Sequence, residues 1–189
     1  MERDILNFFK GEVKNDEKTL DLYSRDASIC EVRPRVVVFP KDTNDITSLV
    51  RYVKEHKSID RTLSVTARSA GTCMAGGSLS ESIIIDFIGH FGGVKNIQNG
   101  FATVLPGTFY RDFEKETLKQ GLILPCYTAS KNICAIGGMI GNNAAGEKTL
   151  LYGKMENFIE SLKVVLSDGN EYEFGSLSRV ELEKKISLT

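Results

Sequence analysis

Tryptophan is absent from this 189-residue sequence, which carries no functional information, and histidine occurs only at His56 and His90. Two histidines make a His-based metal centre within the chain improbable. Cysteine is equally sparse. Cys30, Cys73, Cys126 and Cys134 show no C-x-x-C spacing, which argues against a zinc ribbon or a thioredoxin-like motif. In a reducing compartment the four are most simply free thiols. No apolar run approaches the ~18 residues of a membrane span. The first residues, Met1 to Leu6, lack the apolar core of a signal peptide. A cytoplasmic location is therefore expected. No sign of charge dominates: 24 Lys and Arg stand against 25 Asp and Glu. The resulting net charge of −1 gives no electrostatic reason to expect nucleic acid. Repeats, low-complexity tracts and long linkers are missing too. What remains is an ordinary globular composition, 41% hydrophobic and 26% charged, long enough for one sizeable core or two small lobes.

What is present is glycine, concentrated in two places. The first is Arg68-Ser69-Ala70-Gly71-Thr72-Cys73-Met74-Ala75-Gly76-Gly77, between the apolar runs 63–67 and 82–87. It reads as strand, glycine loop, strand. Glycine permits positive φ and lets a ligand approach bare backbone closely. Successive N–H groups in such a loop form a concave anion site. Arg68 at its entrance adds a planar cationic fork. A phosphate or pyrophosphate is the chemistry this favours, although a glycine turn alone is a common structural feature. Neither G-x-G-x-x-G opening a helix nor G-x-x-x-x-G-K-[ST] is present. The second stretch is Ile136-Gly137-Gly138-Met139-Ile140-Gly141-Asn142-Asn143-Ala144-Ala145-Gly146. Two small-residue segments with bare backbone suggest one extended ligand lying against both.

Taken in order, residues 1–23 read as helical with a break at Gly11, and residues 24–28 as a polar link. Val36 to Phe39 is a proline-bracketed buried strand. Asp42 or Thr43 caps a helix to about His56, which sits at the helix end where a cation suits the dipole. Leu63 to Thr66 then returns as a strand, completing a β-α-β unit with parallel strands. Ile83–Phe87, Gly93–Gln98 and Ala102–Leu105 are short strands, the last two joined by an Asn99-Gly100 hairpin turn. Residues 108–119 form a helix capped by Thr108 and ended by Gly121. Residues 151–153 form a turn. A strand over Asn157–Leu166 turns at Ser167–Asn170 and pairs with Glu171–Phe174. A helix starts near residue 178.

The ordered series Arg68–Thr72 through Gly76-Gly77, Ile85-Asp86, Pro106-Gly107, Pro125, Ile136–Gly138 with Asn142–Gly146, Tyr152-Gly153 and Val164–Gly169 resembles the FAD-binding domain of FAD-linked oxidases. This is the vanillyl-alcohol oxidase or para-cresol methylhydroxylase type. The subgroup it most resembles is that of D-2-hydroxyacid dehydrogenases, such as D-lactate dehydrogenase and the glycolate oxidase FAD subunit. The resemblance implies an α+β fold: a small β-α-β lobe and a mainly antiparallel sheet with helices, with FAD between them. An N-terminal helical segment is expected over 1–32, followed by an FAD-binding domain over 33–189, divided into 33–88 and 89–189. The resemblance also implies that this chain lacks the substrate cap domain. By the same resemblance Ser69, Ala70, Gly71, Thr72 and Cys73, with Arg68, wrap the FAD pyrophosphate. Gly137, Gly138, Asn142, Ala144 and Gly146 line the ribityl and isoalloxazine side, and Pro125 and Ser130 touch the flavin from the linking segment. Thr72 stands where covalent members carry a flavin-linking His, so FAD is expected to be bound non-covalently.

The function implied is the FAD-binding part of an oxidoreductase that oxidises a small D-2-hydroxy acid by hydride transfer to flavin. No catalytic base and no metal site is assigned within these residues. An iron–sulfur domain or subunit is the implied electron acceptor. Self-association is expected where the cap would pack. Two alternatives stand beside this reading. One is a non-catalytic nucleotide-binding module. The other is the FAD domain of an enolpyruvyl-sugar-nucleotide reductase.

Overall fold

The computed structural model of the protein describes residues 1–187. The chain opens with α1 (Glu2–Leu6), β1 (Glu12–Lys14) and α2 (Glu17–Tyr23), then β2 (Val36–Phe39), α3 (Thr43–His56), β3 (Val65–Arg68) and β4 (Ile83–Asp86). The four strands form one sheet in the order β1-β2-β4-β3, with β1 antiparallel and the others parallel. Alternation along β2 and β4 splits their apolar residues between two faces. Val36, Val38, Ile83 and Ile85 pack with Ile5, Phe9, Ile46, Leu49 and Leu63. Val37 and Ile84 pack with Leu20 on the other face. Every residue of β4 is buried. Each such apolar side chain contributes roughly 1.5–3 kcal/mol on burial, so β4 belongs at the centre.

The β-α-β unit keeps its parallel strands, but they are not neighbours. β2 and β3 run the same way, but β4 lies between them. Residues 69–82 are therefore not a tight turn. They carry the chain from the end of β3 back to the start of a parallel neighbour. One further expectation fails at the N-terminus: Val13 lies in a strand, β1, not on a helix. The break at Gly11 is present, and its backbone lies against Phe39, whose carbonyl oxygen a Cβ there would meet at 2.0 Å.

The rest of the chain comprises β5 (Val94–Gln98), β6 (Phe101–Val104), α4 (Tyr110–Leu118), α5 (Ile136–Gly141), α6 (Thr149–Tyr152), a 3₁₀ turn at Met155–Phe158, β7 (Ser161–Val165), β8 (Glu171–Gly175) and α7 (Arg179–Ile186). Its strands form two separate antiparallel hairpins, β5-β6 and β7-β8. Asn99 (φ 54°) and Gly100 (φ 81°) turn the first of them. A second core gathers Tyr110, Phe113, Cys126, Tyr127, Cys134, Ile136, Met139 and Met155. The hairpin β7-β8 leans on the first core instead: Val165 packs there, and Arg51 of α3 donates to Asn170 at 3.0 Å. Thr108 does not cap α4. Its hydroxyl is buried, accepts from Gly93 N–H and donates to the Leu105 carbonyl, and Phe109 is the cap residue. The stretch expected as a strand from Asn157 begins as the 3₁₀ turn. The 151–153 turn is preceded by α6, which ends at Gly153 with φ 81°. Among the described residues no helix is long and apolar enough to cross a membrane, and no group of three His, Cys, Asp or Glu side chains is placed to hold a metal ion.

Candidate cofactor site

The two glycine segments meet. A cleft of about 210 Å³ is lined on one side by Ala67, Ser69–Cys73, Gly77 and Ser78, and on the other by Ala135, Gly137, Gly138, Gly141 and Asn142. The junction is the Pro106 carbonyl. It accepts the Gly137 N–H at 2.8 Å and the Ser69 hydroxyl at 3.3 Å. Pro106 is itself fixed by its neighbour. Gly107 N–H donates to Phe91 O, and a Cβ on Gly107 would stand 1.9 Å from the Phe87 carbonyl oxygen. Helix α5 starts there because Ile136 N–H and Gly137 N–H are satisfied by Thr108 O and Pro106 O, while Ile136 and Met139 anchor it in the second core. Its glycines are poor helix formers, so tertiary contacts hold it.

The cleft walls are mostly backbone. Gly71 has φ 65°, and a Cβ there would fall 2.6 Å from an Arg68 guanidinium nitrogen. A Cβ on Gly138 would meet only Ser69 Cβ, at 3.9 Å, and one on Gly141 would meet nothing within 4 Å. The space those missing side chains leave is what an extended ligand would take. None of the lining residues is acidic or a histidine. Arg68 stands behind the loop. Its guanidinium donates to Arg25 O at 2.8 Å and to Tyr23 O at 3.4 Å, and lies 4.9 Å from the Tyr23 ring centroid. Burial lowers its pKa, but a guanidinium remains charged at any working pH. An anion in the cleft thus meets bare backbone and a fixed cation behind it, and no like charge on its walls. At about 210 Å³ the cleft holds a segment of a dinucleotide such as a pyrophosphate, because whole-ligand pockets run to roughly 300–1,000 Å³. The residues present fit the phosphate-bearing part of FAD.

A larger cavity of about 750 Å³ lies between β5 and α4, with Gly92, Gly93 and Phe109 among its lining residues. Asp112 and Glu116 also line it. Two carboxylates make it unsuited to a pyrophosphate, so size does not decide the assignment.

Several residues assigned by resemblance lie outside the cleft lining. Ala144 is buried in the second core. Gly146 allows a close backbone approach, since a Cβ there would stand 1.7 Å from Tyr127 O. Ser130 shares a hydrogen bond with Thr128 at 2.8 Å, and its carbonyl accepts the Cys134 N–H. Pro125 is half-buried beside the second-core residue Cys126. Arg68 is engaged with the 23–25 backbone. Sequence reasoning missed Ala67, Gly77, Ser78, Ala135 and Gly141. Gly77 and Gly141 stood within the quoted stretches, whereas nothing about Ser78 or Ala135 as residue types marks them.

The model of the FAD binding domain family matches residues 34–175. The chain belongs to this family. It is similar to D-2-hydroxyglutarate dehydrogenase of Pseudomonas putida, 26% identical over 178 residues, covering 93% of this chain and 18% of that protein. Glycolate oxidase subunit GlcD of Bacillus subtilis is 29% identical over 153 residues, covering 79% and 32%. D-lactate dehydrogenase of Archaeoglobus fulgidus is 27% identical over 162 residues, covering 82% and 35%. The chain thus spans between about a fifth and about a third of the length of these relatives. Among solved structures, 6-hydroxy-D-nicotine oxidase of Arthrobacter nicotinovorans superposes with a TM-score of 0.73 at 22% identity, over 88% of this chain and 36% of that one. The Physcomitrella patens BBE-like 1 protein superposes at 0.78 with 15% identity, over 96% and 39%. The fold is the α+β FAD-binding architecture of the vanillyl-alcohol oxidase and para-cresol methylhydroxylase type.

Proposed function

We propose that the chain binds FAD non-covalently in the cleft between residues 69–78 and α5, and that the complete protein oxidises a small D-2-hydroxy acid. The observation that carries this reading is the convergence of two glycine-rich segments, distant in sequence, on one uncharged cleft pinned at Pro106. The relatives' names supply the substrate class: D-2-hydroxyglutarate and D-lactate are both D-2-hydroxy acids. When bound, the flavin supplies the electron-accepting chemistry that protein side chains lack. The chain's own part is to hold the diphosphate through Ser69–Cys73 and to set the α5 backbone against the rest of the cofactor. Non-covalent attachment is supported by the cleft lining, which offers no histidine and a single thiol, Cys73. Burial pushes the Cys126 thiol up and keeps it protonated within the second core, away from such chemistry.

The division into an N-terminal segment over 1–32 and lobes over 33–88 and 89–189 goes with this reading. So do a cytoplasmic location, supported by four free cysteines, and an iron–sulfur domain or subunit as electron acceptor. Self-association is supported by apolar surface on β8 and beyond, where Tyr172 is 41% and Phe174 50% exposed. A second reading, a nucleotide-binding module without turnover, is favoured by one observation: no side chain suited to act as a general base lines the cleft.

The test is spectroscopic. The purified chain is mixed with FAD, desalted and scanned. Flavin bands that persist support the site, and acid precipitation that leaves the flavin in the supernatant supports non-covalent binding. No retained flavin sinks the proposal for this chain. Reduction of an artificial electron acceptor on adding D-2-hydroxyglutarate or D-lactate separates the enzyme from the binding module.

A further inference from the structure

Residues 24–28 read in sequence as a polar link, yet in the structure residues 23–28 hold the cleft-lining loop and the end of β3 before it by hydrogen bonds at three places. Ala27 N–H donates to Gly71 O at 3.1 Å. The Tyr23 and Arg25 carbonyls accept the Arg68 guanidinium. The third contact is made by Asp26, whose carboxylate holds one oxygen on each side. Oδ1 accepts the Ser28 N–H at 2.8 Å, fixing its own turn, and Oδ2 accepts the hydroxyl of the buried Ser78 at 3.0 Å. Ser78 in turn lines the cleft.

We propose that Asp26 is a positioning residue for the cofactor loop: acting through Ser78, it locks residues 71–78 in the conformation that receives the cofactor's phosphates. The inference rests on the reading of this cleft as the FAD site and adds a residue outside it. The physical case is entropic as well as geometric. The loop contains three glycines, Gly71, Gly76 and Gly77, each with wide conformational freedom, and two of them have positive φ. A ligand that must order such a loop loses affinity by the population of the competent conformation. A carboxylate bridging the loop to a hydrogen-bonded turn removes that loss in advance. Hydrogen bonds to a charged acceptor are about twice as strong as neutral ones, which suits one residue to this task. Burial alone would raise the Asp26 pKa, but the bonds from Ser28 and Ser78 outweigh it and hold the carboxyl below its ordinary value. It is therefore an acceptor at neutral pH.

The test uses Asp26→Ala, Asp26→Asn and Ser78→Ala in the full chain, with two readouts. The first is amide hydrogen exchange of residues 71–78 without flavin. The second is FAD titration followed by flavin fluorescence. Asp26→Ala is expected to speed exchange across 71–78 selectively and to weaken FAD binding by about ten- to a hundredfold. The urea midpoint should change little, which distinguishes positioning from general destabilisation. Asp26→Asn should rescue both readouts to within roughly threefold, because its amide can still accept from Ser28 N–H and donate to Ser78 Oγ. Ser78→Ala leaves the turn intact and should reproduce the faster exchange if Asp26→Ala fails to fold. Unchanged exchange across 71–78 in Ser78→Ala, or in a folded Asp26→Ala, overturns the proposal. A wild-type chain that binds no FAD sinks the functional reading, while the exchange arm still decides the clamp.

Discussion

A Cβ on Gly137 would stand 2.9 Å from the Ser69 hydroxyl oxygen, so the two glycine segments lie closer than a side chain at 137 allows. The same atom would lie 2.7 Å from Pro106 Cβ and 2.8 Å from Pro106 O. Pro106 cannot yield, because Gly107 behind it is wedged against Phe87. Gly137→Ala is therefore expected to destabilise the protein by about 1–3 kcal/mol through overpacking, despite the ~1 kcal/mol that alanine gains in a helix. Gly138→Ala is the control. Its nearest neighbour would be Ser69 Cβ at an ordinary 3.9 Å, so stability should hold or rise slightly while FAD affinity falls, since the new methyl occupies cleft space. Urea midpoints and flavin titration on both variants check this, and equal stability loss in the two would contradict it.

The fold was partly legible in the sequence where local chemistry decides it. Asn99-Gly100 forced a hairpin, Asp42 capped α3 by accepting the Asp45 N–H, and Ser178 with Glu181 forms a full capping box on α7. What stayed hidden is set by distant partners. β1 is three residues long and exists only because it pairs with β2. The insertion of β4 between β2 and β3 is a property of strand order, which no local pattern encodes. Helix α5 forms against its own propensity. At the site, Ser69–Cys73, Gly137, Gly138 and Asn142 share one cleft, whereas Ala144 and Gly146 are small because core and backbone crowd them. A one-dimensional glycine pattern does not distinguish these two causes.

Gly146 makes that distinction measurable. Any Cβ there would overlap the Tyr127 carbonyl oxygen at 1.7 Å, and its nearest neighbours are all Tyr127–Thr128 backbone, with no flexible side chain among them to move. Gly146→Ala should cost more than ~3 kcal/mol, in the range reserved for severe packing defects. The loss should be the same with and without FAD. A stability loss that appears only in the flavin-bound protein would restore Gly146 to the cofactor site.

Among the carboxyls held below their ordinary pKa, Asp60 and Asp168 are the most strongly depressed. Hydrogen bonds from Thr62, and then from Arg35, hold the Asp60 carboxyl at about 2. The Tyr172 hydroxyl, then Asn170, hold Asp168 at about 2 in the β7-β8 turn. Both folded values are depressed below the ordinary 3.8. Their contribution is therefore fully present above about pH 4 and is lost as the pH falls toward about 2. Urea midpoints at about pH 5 and about pH 2.5 should differ less in an Asp60→Asn, Asp168→Asn double variant than in the wild type. An unchanged difference would move the acid sensitivity elsewhere.

Thiol labelling reads the cleft directly. Cys126 and Cys134 are buried in the second core, Cys30 is exposed, and half-buried Cys73 alone of the four lines the cleft. A disulfide-exchange reagent should titrate Cys30 fast and Cys73 more slowly, with Cys126 and Cys134 reacting only on unfolding. Reactivity follows access and thiolate character together, so the comparison is best made at one pH in a Cys30→Ser background, where Cys73 is the remaining accessible thiol. Saturating FAD should slow Cys73 by at least about tenfold if the cofactor's phosphates occupy the loop, because reaction then requires the unliganded fraction. Binding of FAD with no protection of Cys73 would mean that the flavin sits elsewhere, and the 750 Å³ cavity beside β5 would become the site to examine.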